Sequence, residues 1–104
     1  MATVPFAVTA RPIIDGRTDG FCKLIVDRGT HRILGCHVVG ERAVEIAQVA
    51  AVAVAADMPV EQFVRIPISF PTYTNVLERA AIDAARQLDV PGFWDAPEPA
   101  TRRT

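Results

Sequence analysis

Pro67 and Pro71 together bar any helix or central strand from running through the residues between them. Each ring also drives the residue before it, Ile66 or Phe70, toward extended geometry. Ile68 and Phe70 are therefore apolar residues held on a rigid, non-repetitive loop. A helix is expected to start at once. Thr72, Thr74 and Asn75 are all N-cap residue types, and Asn75 with Glu78 has the spacing of a capping box. A stiff loop feeding a helix N-terminus holds backbone out toward a ligand or partner, so Arg65 to Ala81 is the first place to look for function. The plainer reading is a proline-rich connection between two helices.

The chain has 104 residues, enough for one small domain. Hydrophobic residues make up 50% and charged residues 22%, a globular and not a disordered balance. A chain this short buries a modest core, and a partner surface would add to its stability. Net charge is -1, with Lys and Arg scattered. No basic stripe points to nucleic acid or to an acidic membrane. Met1 to Ala10 has neither the basic start nor the long apolar run of a signal peptide. The most apolar stretch, Ala43 to Ala56, is too short and too rich in alanine to span a bilayer. The expected location is the cytoplasm, with neither membrane nor nucleic acid as partner.

Taken in order, Val4 to Ile14 reads as a strand, rich in Val, Phe, Thr and Ile. Pro5 and Pro12 mark it as an edge or bulged one. Asp15 to Gly20 is a turn. It imitates the opening of a calcium loop, but Arg17 and Val26 occupy ligand positions and no helix precedes it, so calcium is rejected. Phe21 to Asp27 is a strand with Cys22, Leu24 and Val26 on one face. After a polar turn, Arg32 to Gly40 is another, with Leu34, Cys36 and Val38 sharing a face. The two form an antiparallel hairpin. Cys22 and Cys36 neighbour each other in one register and not in the next, and the turn does not fix the register. They fit neither a zinc knuckle nor a CxxC pair, and free buried thiols are expected. His31 is expected to be solvated in its turn, and His37 to be a satisfied structural residue on its strand.

A helix is expected from Glu41 to about Asp57. Glu41 and Glu45 lie one turn apart, but the histidine that a carboxylate metal site needs is missing; an ion-paired edge is the reading, with no metal. From Val49 to Ala56 no polar face remains. Such a helix needs covering on every side, either at a subunit interface or beneath the sheet. Met58-Pro59 ends it, and Val60 to Val64 makes a short turn. The last helix runs from about Asn75 to Leu88 on a stripe of Leu77, Ala81, Ala84 and Leu88. Residues 1–90 form the domain, and 91–104 read as a disordered tail. No dinucleotide fingerprint, phosphate-binding loop or nucleophile elbow occurs. A small enzyme using His37 with a cysteine has no supporting constellation.

The order of these features resembles a known family. Ala10-Arg11, then Asp19 to Asp27, then Arg32 to Gly40, the helix with Ala43 and Glu45-Ile46, and Pro71-Thr72 before a final helix are similar to the C-terminal dimerisation domain of the pyridine nucleotide-disulfide oxidoreductases. That family includes dihydrolipoamide dehydrogenase, glutathione reductase and mercuric reductase. The resemblance covers roughly Phe6 to Leu88. It implies an α+β fold: an antiparallel sheet of about three strands with helices on one face, lacking the strand and helix that usually come first. It also implies a homodimer, and a longer enzyme whose other domains bind FAD and NAD(P). The chain then reads as a fragment that binds no cofactor alone.

In the family, the loop before the last helix reaches the partner's flavin. A histidine there exchanges protons with a thiol, and a glutamate orients it. Here those positions hold Phe70 and Asn75, so the resemblance implies no catalytic residue in this chain. It leaves one role to Phe70, a backbone approach to the partner's flavin, and implies a cis bond at Phe70-Pro71. Phe-Pro followed by Tyr and Thr looks more like mercuric or quinone-reducing relatives, although the tail lacks the mercuric enzymes' cysteine pair. The resulting expectation is a non-catalytic module that pairs subunits and completes the partner's active site. The alternative is a stand-alone dimeric scaffold or binding protein that kept the fold.

Overall fold

The computed structural model describes residues 1–90. One antiparallel sheet has the order β1-β2-β3, with β1 at Ala2–Pro5, β2 at Gly20–Val26 and β3 at Ile33–Gly40. Four helices accompany it among the described residues: α1 (Ala10–Asp15), α2 (Ala43–Ala55), α3 (Val60–Phe63) and α4 (Asn75–Gln87). The architecture is the expected α+β one. Buried residues from all three strands and from α2 and α4 join in one apolar cluster, with α2 over β3 and α4 over β1 and β2. The expected tail, 91–104, lies outside the described residues.

The expected strand Val4 to Ile14 is corrected. Only Ala2–Pro5 is strand; a 3-10 turn at Phe6–Val8 follows, and then α1. Pro12 is not an edge marker but the third residue of α1, where the missing N–H has no intrahelical partner to lose. Gly16 closes α1 in the left-handed region at φ 71°, its N–H donating to the Ile13 carbonyl at 3.2 Å.

The hairpin holds, with Cys22 and Leu24 buried on the inner face. On β3 the expected face is corrected. Ile25 pairs with Gly35 but Val26 with Ile33, so β3 advances two residues where β2 advances one. This bulge reverses the alternation at its end. Ile33 points inward, Leu34 is 55% exposed, and Cys36 and Val38 pack against the core. At the open end of the hairpin Gly20 faces Gly40. A Cβ on Gly40 would lie 2.7 Å from the Phe6 ring, and its φ of 134° disfavours any side chain.

α2 starts two residues later than expected, because Arg42 stands before it in the left-handed region at φ 63°. Ile46, Ala50 and Ala53 form its buried face. Asp57, at φ 51°, turns the chain out of α2, and the Met58 N–H donates back to the Ala53 carbonyl at 3.0 Å. The segment then binds the hairpin tip: Ile33 N–H donates to Met58 at 3.0 Å and Val60 N–H to His31 at 2.7 Å. α4 matches its expected stripe, with Leu77, Ala81 and Ala84 buried and Leu88 packed against the core.

Candidate functional site: the cis-proline loop and its flanks

The loop from Val64 to Thr74 leaves α3 and enters α4, and Phe70-Pro71 is cis. Phe70 is 74% exposed, the most exposed aromatic ring among the described residues. A short network holds the backbone around it. The Thr72 hydroxyl donates to the Ser69 carbonyl at 2.8 Å, and the Asn75 amide donates to the same carbonyl at 3.2 Å. The Asn75 side-chain oxygen accepts from the Thr72 N–H at 2.7 Å. Asn75 is thus not the expected N-cap of a capping box. It is the first residue of α4, Thr74 precedes it without a side-chain cap, and the Asn75 amide donates to Glu78 at 3.1 Å. The helix supplies a buried side chain that latches the loop. The sequence signal was the Asn-x-x-Glu spacing, read in the wrong register.

Tyr73 anchors the far side. Its ring sits 6.1 Å from Phe6 at a 53° tilt, and its hydroxyl donates to Asp15 Oδ2 at 2.8 Å. Arg11 Nε reaches the same oxygen at 3.0 Å. The Tyr73 hydrogen bond, aided by Arg11, holds the Asp15 carboxyl below its ordinary range. No pattern in the sequence linked Asp15 to Tyr73, since the two lie on elements that meet only on folding.

Two open clefts flank the loop. One of about 300 Å³ is lined by Phe70, Val8, Asn75, Glu78 and Arg79 among others. The second, about 220 Å³, lies between Thr72–Thr74 and the side chains of Arg11, Arg42 and Glu45. Its guanidiniums already have carboxylate partners, Arg42 with Glu45 at 3.2 Å and Arg11 with Asp15. The Phe70 ring has no transferable proton, and Asn75 has its amide committed to the loop and to Glu78.

The other candidates separate. His37 is exposed on the outer sheet face opposite Lys23, away from both cysteines, and not the satisfied structural residue expected. His31 is not free in solvent as expected; its Nδ1 lies 3.0 Å from Glu61 Oε2. Burial raises the Glu61 carboxyl, but the His31 contact and local hydrogen bonding outweigh it and leave it lowered. Glu41 and Glu45 are ion-paired, with Arg17 at 4.0 Å and Arg42 at 3.2 Å. No group of three or more His, Cys, Asp or Glu among the described residues is placed to hold a metal. No described helix is long and apolar enough to cross a membrane.

Residues 1–81 match the family model described as "Pyridine nucleotide-disulphide oxidoreductase, dimerisation domain". Mitochondrial dihydrolipoyl dehydrogenase of Mus musculus is 32% identical over 81 residues, and that of Homo sapiens 31%, each alignment covering 78% of this chain and 16% of the relative. The crystal structure of LpdA from Mycobacterium tuberculosis superposes with a TM-score of 0.71 at 24% identity, over 78% of this chain and 18% of that one. The chain thus spans under a fifth of the proteins it matches, and it belongs to the dimerisation-domain family of the pyridine nucleotide-disulphide oxidoreductases.

Proposed function

We propose that this chain pairs with a second copy and completes the wall of the partner's active site without catalysis of its own. The observation that carries this reading is Phe70. An apolar side chain 74% exposed, on a loop latched by Asn75 and Thr72, gains nothing from burial within one chain and has apolar area to bury against a partner. The phenyl group supplies shape but no proton, so thiol acid–base chemistry is not its work. The flavin and nicotinamide nucleotide that the resemblance implies belong to other domains of a full-length enzyme, and this chain offers the flavin only the backbone at Phe70.

The second copy has a surface to use on α2. Val44 is 84% exposed and Val52 58%, although both are aliphatic, and they share the outer side of the helix with Glu45 and Gln48. A partly apolar helix side with small side chains between its valines gives another helix a surface to approach. Residues 1–90 act as the pairing module in this reading, in the cytoplasm, with no nucleic acid or membrane as partner. Light scattering on the purified chain, with its visible spectrum recorded in the presence of FAD, tests the proposal. A colourless dimer is expected. A monomer, stoichiometric flavin binding or turnover by the chain alone would overturn it.

A further inference from the structure

We infer that Cys22 and Cys36 form a reversible dithiol–disulfide site that is oxidised by exchange with a low-molecular-weight disulfide. The two thiols are free, and their Sγ atoms lie 3.7 Å apart on the inner face of the sheet. They touch without being opposite each other. Cys22 pairs with Val38 and Leu24 with Cys36, so the cysteines are diagonal neighbours across β2 and β3. Diagonal positions are spaced about 7–8 Å apart on adjacent strands. A relaxed disulfide spans at most about 6.8 Å between Cα atoms. Closing the bond therefore makes β2 and β3 slide by something on the order of 1 Å at this point. A cross-link formed under that strain is readily reduced again. The site is built to open as well as to close, unlike a structural disulfide.

The two sulfurs have different parts. Cys22 is fully buried, whereas Cys36 is half-buried on β3, the strand at the end of the sheet. The contact with the Cys22 thiol holds the Cys36 thiol below its ordinary value. The same contact, with burial, pushes Cys22 far up. Cys36 is thus the attacking sulfur and Cys22 the resolving one. The Cys36 thiol loses its proton and attacks one sulfur of the small disulfide. A Cys36 mixed disulfide forms, and the expelled thiolate takes up a proton. Cys22 then loses its proton and attacks Cys36 Sγ, which breaks the mixed disulfide and releases the second small thiolate to be protonated. Two protein thiols and one disulfide give one protein disulfide and two small thiols, and two electrons pass to the small molecule.

The full chain would be treated with oxidised glutathione, quenched with N-ethylmaleimide in denaturant, and analysed by intact mass and peptide mapping. The expected product is a single chain lighter by two hydrogens, with no maleimide adduct and a Cys22–Cys36 linked peptide, and reduced glutathione restores both thiols. Cys22→Ser should stop at a glutathione adduct on Cys36. Cys36→Ser should slow modification of Cys22 by about tenfold or more, since the buried thiol then has no entry point. Two alkylatable thiols in the treated wild type would overturn the inference, as would an adduct on Cys36 that never resolves or cross-links only between chains. The wild-type peptide map decides by itself where a serine variant does not fold.

Discussion

α2 and α4 are each 13 residues long and both pack on the sheet, yet they are finished in different ways. On α4 the buried residues form a full stripe, Val76, Leu77, Ala80, Ala81, Ala84 and Ala85, and the charged side chains line the opposite side. Nearly every apolar group on that helix is packed within the chain; Ile82, which lines the cleft beside Phe70, is the exception. On α2 only Ile46, Ala50 and Ala53 are buried, while Val44 and Val52 face outward. One helix buries its apolar stripe within the chain, and the other leaves valines in the open. An amphipathic pattern states both where the core is and where it ends; an apolar pattern without a polar face states only that more covering is wanted.

The largest test of that contrast is Leu77→Ala. Removing this buried side chain from α4 should lower stability by about 2 to 5 kcal/mol in denaturant titration. A smaller loss would mean that the sheet holds α4 less firmly than its burial implies. Asn75→Ala comes next. It leaves the Ser69 carbonyl short of one donor and the Thr72 N–H without its acceptor, which should cost about 1 to 3 kcal/mol. The same variant should speed amide hydrogen exchange around Ser69 to Thr72, whereas the far end of α4 should keep its protection.

Val52→Lys addresses the open face of α2. In one chain the new side chain lies in water, so stability should change by no more than about 0.5 kcal/mol. Its effect should appear in association instead, with the measured mass falling from dimer to monomer. A dimer that survives Val52→Lys, and also Val44→Lys, would place the pairing surface elsewhere.

The smallest effect concerns the tie at the start of α4. Asp15 titrates below its ordinary value in the folded state, first because of the Tyr73 hydrogen bond. A depressed carboxyl adds stability that is present above its unfolded pKa and is lost as pH falls through the folded one. Tyr73→Phe should therefore raise the Asp15 titration midpoint toward the ordinary value of about 3.9. Stability should fall less steeply with acid in the variant. Carboxyl NMR titration of Asp15 reads the first effect directly.

Much of the fold was legible where one periodicity ran unbroken. β2 alternates cleanly, α4 repeats its stripe over its whole length, and Met58-Pro59 ends α2 as prolines do. Reading failed where two signals competed. Pro12 among β-branched residues suggested an edge strand, but Gly16 after Asp15 was the mark of a capped helix, and the helix won. The bulge at Ile25/Val26 leaves no trace in composition, so Leu34 was placed on the wrong face. In the candidate site, the rigid loop could be read from the two prolines. The latch by Asn75 was half-visible, and the Asp15–Tyr73 tie was not visible at all.

By itself the sequence determined the local matters: which stretches alternate or repeat, where proline and glycine stop them, and that position 70 carries no proton. Tertiary structure alone decided which groups meet. It set the register that lays Cys22 diagonally against Cys36, brought Asp15 under Tyr73 and His31 against Glu61, and left one side of α2 uncovered. The division has a physical cause. Backbone preferences act over a few neighbouring residues, whereas contacts between distant residues depend on strand register and on which faces the core has room to bury.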